Sequence, residues 1–215
     1  MRERLRNLPT LVGSPPSFDP EQDATDEPVE LFLRWFDLAI ESGLPEPHAM
    51  TVGTVDERGC PSARILICKN VDAGGWHFAS SASSRIGREL GMNPYASLVF
   101  YWKELARQVR VVGTVEPAAP QESAADFHAR PIEARAEAFA GRKGEALAGD
   151  AEIERTVAEA RARLEKDPTL TAQDWTVYVL RPTEVEFWQA EQNRRHRRLR
   201  YRRSALGWDR DRLWP

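Results

Sequence analysis

The sequence predicts a mainly β fold, an antiparallel barrel or sandwich with helices packed around it. Five short strand-like runs lie between residues 50 and 116, and turn signals such as Asp56-Glu57-Arg58-Gly59 separate them. Many short strands at close spacing favour a closed barrel or a sandwich. Strand patterns return after two helical stretches, at 175–180, at 184–188 and in the arginine segment 194–203. Early and late parts of the chain are therefore expected to share one sheet system.

The first 26 residues are expected to form an arm, and residues 27–215 a single domain. The arm carries prolines, acidic residues and few large apolar groups, so it should be mobile or ordered only against another surface. The remaining length suits one domain of ordinary size. The first helix should begin after Asp26, the expected N-cap, and stop at Gly43, with an apolar stripe at helical spacing formed by Val29, Phe32, Phe36 and Ile40.

The early strands are predicted at 50–55, 63–69, 75–80, 96–102 and 107–116. A short helix is expected to interrupt them at 83–90. Two helical stretches follow at 120–140 and 150–166. The second stretch carries an apolar stripe that is most simply core packing, formed by Ile153, Val157, Ala160 and Leu164.

Composition excludes several classes of protein. No apolar run approaches the roughly 18 residues that suggest a membrane span. The N-terminus lacks the apolar core of a secretory signal, so we expect a cytoplasmic protein. Cys60 and Cys68 lack zinc-like spacing and are interpreted as ordinary thiols. Sequence motifs for dinucleotides, nucleoside triphosphates, zinc proteases and serine hydrolases are missing, which disfavours those chemistries.

The segment 194–203 holds seven arginines in ten positions, yet the net charge of the chain is only −3. A basic arm that recruits nucleic acid needs a basic excess and lacks large apolar residues. Here apolar residues occupy alternate, strand-like positions, namely Val185, Phe187, Leu199 and Tyr201. The arginines are therefore expected to stand on a sheet and to point to one place, a pocket for a local anionic ligand.

Three sets of polar residues are expected at strand ends or at a helix start. Arg64 and Lys69 bracket an apolar, buried-looking strand, and they either flank it in water or face a ligand. Ser80, Ser84 and Arg85 lie where a strand turns into a helix, which suits either phosphate binding or simple N-capping. Gln108 is either an ordinary strand residue or a neutral hydrogen-bonding group for a ligand.

The C-terminal segment carries the spacing E-F-W-x5-R-x-H-x-R from Glu186 to Arg198 and closes with R-L-x-P. This pattern resembles the C-terminal end of proteins of the pyridoxamine 5'-phosphate oxidase family. The members are FMN-dependent split-barrel oxidases, and the resemblance covers roughly residues 30–215. It implies an FMN-binding split barrel, an antiparallel Greek-key barrel. It also implies a homodimer with two FMN sites at the subunit interface, in which the segment 175–215 serves dimerisation and substrate binding.

The resemblance implies a set of FMN contacts. Arg64 would reach the phosphate, the main chain of Ile65 and Leu66 would meet the flavin ring, and Lys69 would lie near ring and substrate. The family's Y-T-x-x-x-S-R-K motif aligns with Ala79, Ser80, Ser84, Arg85 and Ile86. Ala79 and Ile86 thus replace a hydroxyl-bearing aromatic residue and a phosphate-binding lysine. The remaining implied contacts are Gln108, Lys143 in place of a glutamine, Trp188 and Arg198.

Substrate residues depart most from the family. The Y-x-x-x-R-x-x-x-S set that holds a substrate phosphate becomes Asp126, Arg130 and Ala134. An aspartate there would repel a dianion by on the order of 1 kcal/mol or more. Arg194 and His196 keep the R-x-H pair that lies over the flavin in the family, and they are the implied catalytic residues.

A second branch of the family, the flavin oxidases of phenazine biosynthesis, shares G-R-E-L at 87–90, N-P-x-A-S at 93–97 and L-R-Y-x-R-S-x-x-G-W at 199–208. This branch implies hydride transfer from a reduced, carboxylated nitrogen heterocycle to FMN. Reoxidation by O2 would then give hydrogen peroxide. The alternatives are an oxidase of pyridoxamine or pyridoxine 5'-phosphate and a barrel that binds flavin without turnover.

Overall fold

A closed barrel of six antiparallel strands forms the centre of the computed structural model, which describes residues 1–11 and 15–215. The strands follow one another in the order β3-β2-β1-β4-β5-β6, and pairing of β3 with β6 closes the barrel. The antiparallel barrel predicted from the sequence is thereby confirmed. The strands are β1 (Ala49–Val55), β2 (Pro61–Asp72), β3 (Gly75–Ser81), β4 (Tyr95–Trp102), β5 (Arg107–Pro117) and β6 (Trp175–Gln189).

The two strands predicted at 175–180 and 184–188 are one long strand, β6. Its first half pairs with β3, its second half pairs with β7 (Arg197–Ser204), and β5 pairs with both halves. An irregularity in the β5–β6 register lets the strand continue past Gly113. A Cβ atom at Gly113 would lie 2.0 Å from the carbonyl oxygen of Arg181, so the close approach requires glycine.

A last strand, β8 (Gly207–Arg212), pairs with β7 and extends the sheet beyond the barrel. It was not predicted, because its charged residues give no apolar alternation. The alternation that was predicted is confirmed. Val185, Phe187, Leu199 and Tyr201 are all 2% exposed or less and lie in the core.

Six α-helices occur in the described ranges: α1 (Arg2–Arg6), α2 (Pro28–Glu41), α3 (Arg85–Met92), α4 (Pro120–Ala129), α5 (Ile132–Ala140) and α6 (Asp150–Lys166). The single helical stretch expected at 120–140 is wrong, because Arg130 is extended and α5 starts after Pro131. Proline disfavours a helical conformation in the residue before it, so the chain turns there.

The first long helix, α2, packs Val29, Phe32 and Phe36 against the core as expected, but its most buried face is shifted from the predicted stripe. Its N-cap is Glu27 rather than Asp26. The buried face is Leu31, Phe32, Trp35 and Ala39, whereas Ile40 is 52% exposed. The Phe32 ring packs edge-on against Trp76 and Phe100, with centroids 5.3 and 4.9 Å apart, and so anchors α2 to the barrel core. In α6, Ala160 and Leu164 are buried as expected, but Ile153 is exposed.

The chain before α2 contacts the barrel at several points. Phe18 is 4% exposed and packs edge-on against Trp35. The Tyr201 hydroxyl accepts a hydrogen bond from the Thr25 amide and donates one to the Thr25 carbonyl, both at 3.1 Å. These contacts give residues 18–25 a packing surface on the barrel. It stays a prediction that the arm is mobile and that the domain begins at residue 27.

None of the helices within 1–11 and 15–215 has the length and apolar character needed to cross a bilayer.

Candidate functional site

Three predicted substrate residues meet around a tryptophan that the sequence analysis did not single out. The Trp175 indole Nε1 donates a hydrogen bond to Asp126 Oδ2 at 2.9 Å. The Arg130 guanidinium lies over the same ring, with Cζ 4.0 Å from the centroid. Lys69 Nζ lies 3.2 Å from Asp126 Oδ1. We call Lys69, Asp126, Arg130 and Trp175 the Trp175 cluster.

Tertiary structure brings this cluster together from three elements. Lys69 lies on β2, Asp126 on α4, and Trp175 is the first residue of β6. Asp126 and Trp175 are 49 residues apart in the chain, so no local sequence pattern links them. A further predicted residue lies nearby, since Lys143 Nζ is 6.0 Å from the Trp175 ring centroid. Ala134 is half-buried on α5.

Arg130 carries a donor that the described part of the chain leaves unsatisfied. Its Nη1 atom is buried and has no hydrogen-bond partner among the described residues. Burial lowers the pKa of Arg130, although the charges of Asp126 and Glu137 oppose that shift. A buried donor without an acceptor costs about 1–3 kcal/mol, so a bound anion would relieve it.

The predicted phosphate loop lies at the start of α3. Ser84 is the N-cap of this helix, and its hydroxyl oxygen accepts from the Gly87 amide at 3.3 Å. The expected N-capping is therefore present, and Ser80 Oγ lies 3.2 Å from Ser84 Oγ. Ala79 is buried on β3. The loop thus gathers two hydroxyl groups at a helix N-terminus, where an anion is favoured.

Arg64 and Arg85 converge on Glu89, a residue of the G-R-E-L motif that was not among the predicted site residues. The two arginines lie 3.1 and 2.7 Å from the Glu89 carboxylate. Burial alone would raise the pKa of Glu89, but hydrogen bonds from Ser62, Thr54, Arg85 and Arg64 outweigh it and lower the pKa to about 2. The carboxylate is therefore ionised throughout the neutral range.

The strand between Arg64 and Lys69 is less buried than predicted. Ile65 is 63% exposed, and Leu66 is half-buried. The expectation of a buried strand is wrong for this chain, because β2 has only one face on the barrel core. Its other face, with Ile65, is open to a ligand or a partner.

Three predicted flavin residues stand in one row across the sheet. Gln108 on β5 lies opposite Trp188 on β6, and Trp188 lies opposite Arg198 on β7. Residues directly opposite each other in antiparallel strands share a face. We call Gln108, Trp188 and Arg198 the cross-strand row. Arg198 is held by the buried Glu186 at 2.7 Å and by the Trp214 carbonyl at 2.9 Å.

His196 packs beside this row, with its ring centroid 4.9 Å from that of Trp188. Its Nδ1 atom accepts a hydrogen bond from the Glu191 amide at 3.2 Å, which requires an unprotonated Nδ1. Burial and the charge of Arg194 lower the pKa of His196, so the neutral ring is favoured. Arg194 itself has a left-handed backbone with φ of 64°, and its Nη2 lies 3.3 Å from Thr10 Oγ1.

The arginine run does not converge on one pocket as predicted. Arg200 and Arg202 both pair with Asp211, and Arg203 lies over the Trp208 ring. The division follows from the partners on the neighbouring strand, because Asp211 and Trp208 both lie on β8 and hold these arginines away from a common pocket. Three arginines of the run line a cleft of about 560 Å³: Arg195, Arg197 and Arg198. His196 and Arg212 line the same cleft.

Within the described ranges, no hydrogen bond or ion pair joins the Trp175 cluster to the cross-strand row. The chain therefore presents the predicted residues as two separate groups. The phosphate loop belongs with the Trp175 cluster, since the adjoining β3 residue Ser81 lies opposite Trp175 in the sheet.

Two family models match this chain. "Pyridoxamine 5'-phosphate oxidase" matches residues 36–164, and "Pyridoxine 5'-phosphate oxidase C-terminal dimerisation region" matches residues 175–215. Curated relatives named pyridoxine/pyridoxamine 5'-phosphate oxidase include one from Salinibacter ruber, 45% identical over 89% of this chain and 90% of its own length. Another, from Thermosynechococcus vestitus, is 44% identical over 91% and 92%.

Solved structures share the fold. PhzG from Burkholderia lata 383, in complex with tetrahydrophenazine-1-carboxylic acid, has a TM-score of 0.87 and 30% identity, with 94% of this chain and all of that chain covered. A pyridoxamine 5'-phosphate oxidase-related, FMN binding protein from Nostoc punctiforme PCC 73102 has a TM-score of 0.73 at 16% identity, covering 89% and 100% of the two chains. The barrel is therefore a split barrel of this type, and with the two family models the matches show that the chain belongs to the pyridoxamine 5'-phosphate oxidase family.

Proposed function

We propose that this FMN-dependent oxidase acts on a reduced nitrogen heterocycle that carries a carboxylate, similar to a phenazine precursor, in preference to a phosphorylated vitamer. The observation that carries the proposal is the ion pair between Asp126 and Lys69 within the Trp175 cluster. This pair neutralises one of the two cations that would face a substrate anion.

The charge of the cluster suits a monoanion better than a dianion. Lys69 and Arg130 supply two positive charges, and Asp126 removes one of them. Arg130 retains the unsatisfied Nη1 donor and can bind one carboxylate group. A phosphate ester carries up to two negative charges near neutral pH and would meet the Asp126 carboxylate at the same site. Ala134 offers no hydroxyl group in compensation.

The residues present fit FMN. The N-terminus of α3, the Ser80 hydroxyl and the arginines Arg64 and Arg85 suit its phosphate. Ser84 would shape the loop as the N-cap, since its hydroxyl donates to the Ser81 carbonyl at 2.6 Å. The main chain of Ile65 and Leu66 would meet the flavin ring, together with Ala79 on β3. Lys143 and the cross-strand row of Gln108, Trp188 and Arg198 would complete the contacts. When bound, FMN would supply the redox chemistry: it would take a hydride from the substrate, and O2 would then take up the two electrons with two protons to give hydrogen peroxide.

A homodimer would unite the two groups of residues that one chain keeps apart. The match of residues 175–215 to a dimerisation region supports this arrangement. The Trp175 cluster and the phosphate loop of one subunit would face the cross-strand row, Arg194 and His196 of the partner. Each of the two FMN sites would then contain residues from both subunits.

Arg194 and His196 would orient the substrate ring. The neutral His196 ring, held by the Glu191 amide, offers an Nε2 hydrogen-bond donor to a nitrogen heterocycle. Arg194 adds a positive charge for the substrate carboxylate. Both residues would act by binding and orientation, while the flavin supplies the redox chemistry.

A specific observation also favours a second function, oxidation of pyridoxamine or pyridoxine 5'-phosphate. The curated relatives with that name are 42–45% identical to this chain over about nine-tenths of its length, more than the 30% of the PhzG structure. The PhzG structure, with its bound tetrahydrophenazine-1-carboxylic acid, supports the first function instead.

Anaerobic mixing of the FMN-loaded protein with each candidate donor separates the two functions. We expect tetrahydrophenazine-1-carboxylic acid to bleach the flavin absorbance, air to restore it, and pyridoxamine 5'-phosphate to react far more slowly. Faster bleaching by the vitamer would overturn the proposed order. Retention of FMN without reduction by either donor would indicate the third alternative, a flavin-binding barrel without turnover.

A further inference from the structure

Glu89 is only 2% exposed, yet its carboxylate is bonded to both arginines of the proposed phosphate site. Oε2 accepts hydrogen bonds from Thr54 at 2.5 Å and Ser62 at 2.6 Å, and it pairs with Arg64 Nη2 at 3.1 Å. Oε1 accepts from Arg85 Nε at 2.7 Å. We propose that Glu89 is the internal counter-anion of the cofactor-phosphate site, which balances Arg64 and Arg85 when no phosphate is bound and thereby weakens the binding of FMN.

This inference rests on the proposed function, since it needs Arg64 and Arg85 to face the FMN phosphate. Arg64, Arg85 and Glu89 carry a net charge of +1 between them, whereas the phosphate that they would receive is a dianion. Ile86 stands where the family has a lysine, so the loss of that cation adds to the effect of Glu89. Arg88 donates to the Ser83 carbonyl on the same loop, and in the described part of the chain its side chain forms no hydrogen bond or ion pair with the Glu89 carboxylate.

The physical argument compares the empty and the occupied site. Without phosphate, two neighbouring guanidinium groups repel each other, and a shared carboxylate removes that repulsion. With phosphate, the same carboxylate lies close to a dianion and repels it. Glu89 should therefore stabilise the FMN-free protein and make FMN bind less tightly than the two arginines alone would allow.

Two other roles for Glu89 predict different results. As a purely structural tie between α3 and the strands of Thr54 and Ser62, it would affect every flavin equally, with or without a phosphate. If Glu89 merely orients Arg64 and Arg85 toward the phosphate, its removal would weaken FMN binding. Of the three roles, only that of a counter-anion predicts that FMN binds more tightly once the Glu89 charge is removed.

The test compares Glu89→Gln with wild type in titrations of flavin-free protein with FMN and with riboflavin, which lacks the phosphate. Glutamine keeps the shape and one acceptor oxygen but removes the charge. We expect the Kd for FMN to fall by on the order of 10-fold, the Kd for riboflavin to stay the same, and the Tm of the flavin-free protein to fall. The matched control is Glu184→Gln, a carboxylate between Arg110 and Arg200 on other strands, which should change none of these values.

The outcomes separate this inference from the proposed function. Equal affinity of the wild type for FMN and riboflavin would remove the phosphate site itself, and both proposals would fail. A wild-type preference for FMN combined with unchanged or weaker FMN binding in Glu89→Gln would overturn only the role of Glu89. If the variant cannot be freed of flavin, FMN release from the holoprotein replaces the titration. Slower release is expected, and faster or unchanged release contradicts the proposal.

Discussion

Replacement of Asp126 by asparagine should make the protein bind phosphate esters more tightly. The variant keeps an oxygen acceptor for Trp175 Nε1 but removes the charge that pairs with Lys69 at 3.2 Å. At this distance the attraction between unit charges is about 1.3 kcal/mol in a water-like dielectric, and it is larger in a less polar one. The two side chains are 33% and 16% exposed, so screening keeps the interaction near the lower value, about 1–2 kcal/mol. An anion that takes over this interaction should gain about 5- to 30-fold in affinity.

The assay is titration of the FMN-loaded protein with pyridoxamine 5'-phosphate, followed by the perturbation of the flavin absorbance. Pyridoxamine, which lacks the phosphate, should bind wild type and variant equally well. Asp211→Asn serves as the matched control, since Asp211 also pairs with cations, Arg200 and Arg202, but lies at the sheet extension. Equal affinity of wild type and Asp126→Asn for the phosphate ester would refute the charge argument behind the proposed substrate class.

Three further predictions concern stability and pH. The pKa of His196 is lower in the folded protein than its ordinary value of 6.5, so folding is favoured by the neutral ring at pH values above 6.5. This stabilisation is lost as the pH falls through the folded-state pKa. As the pH rises toward 6.5, the free energy of unfolding should thus increase more steeply in wild type than in His196→Asn, and parallel curves would contradict this. Tyr201→Phe removes both hydrogen bonds to Thr25 and should cost about 1–2 kcal/mol in denaturant unfolding, whereas an unchanged midpoint would show that this contact is unimportant. Gly113→Ala should cost about 1–3 kcal/mol, because its Cβ would meet the Arg181 carbonyl. Gly91→Ala, where a Cβ has open space, should be neutral or stabilising, and equal effects of the two changes would be inconsistent with a close backbone approach at Gly113.

The strands were predictable because their signal is local. Val185, Phe187, Leu199 and Tyr201 alternate along the sequence, and each is buried on the core side of the sheet. The break between α4 and α5 also had a local signal, Pro131, which the helical composition around it obscured. In contrast, β8 consists mainly of charged residues, and its strand conformation depends on pairing with β7.

The candidate site was predictable in its residue types but not in its pairings. Resemblance to the family named Arg64, Arg85 and Asp126 from short motifs. It did not show that Arg64 and Arg85 share Glu89 or that Asp126 is bonded to Lys69 and Trp175. The expectation that the arginine run faces one pocket failed for a related reason: the carboxylates that pair with it lie on other strands.

The sequence by itself determined the barrel class, the alternation of core residues and the chemical groups available for an anionic cofactor and substrate. These properties depend on residue type and on spacing over a few positions. Only the tertiary structure decided which charges are free and which are already neutralised. Thr54 and Glu89 are 35 residues apart, and Asp126 and Trp175 are 49 apart, so their hydrogen bonds exist only after the strands and helices have packed. The charge that a ligand meets is therefore a property of the folded arrangement, because Coulomb interactions depend on distance in space rather than on distance along the chain.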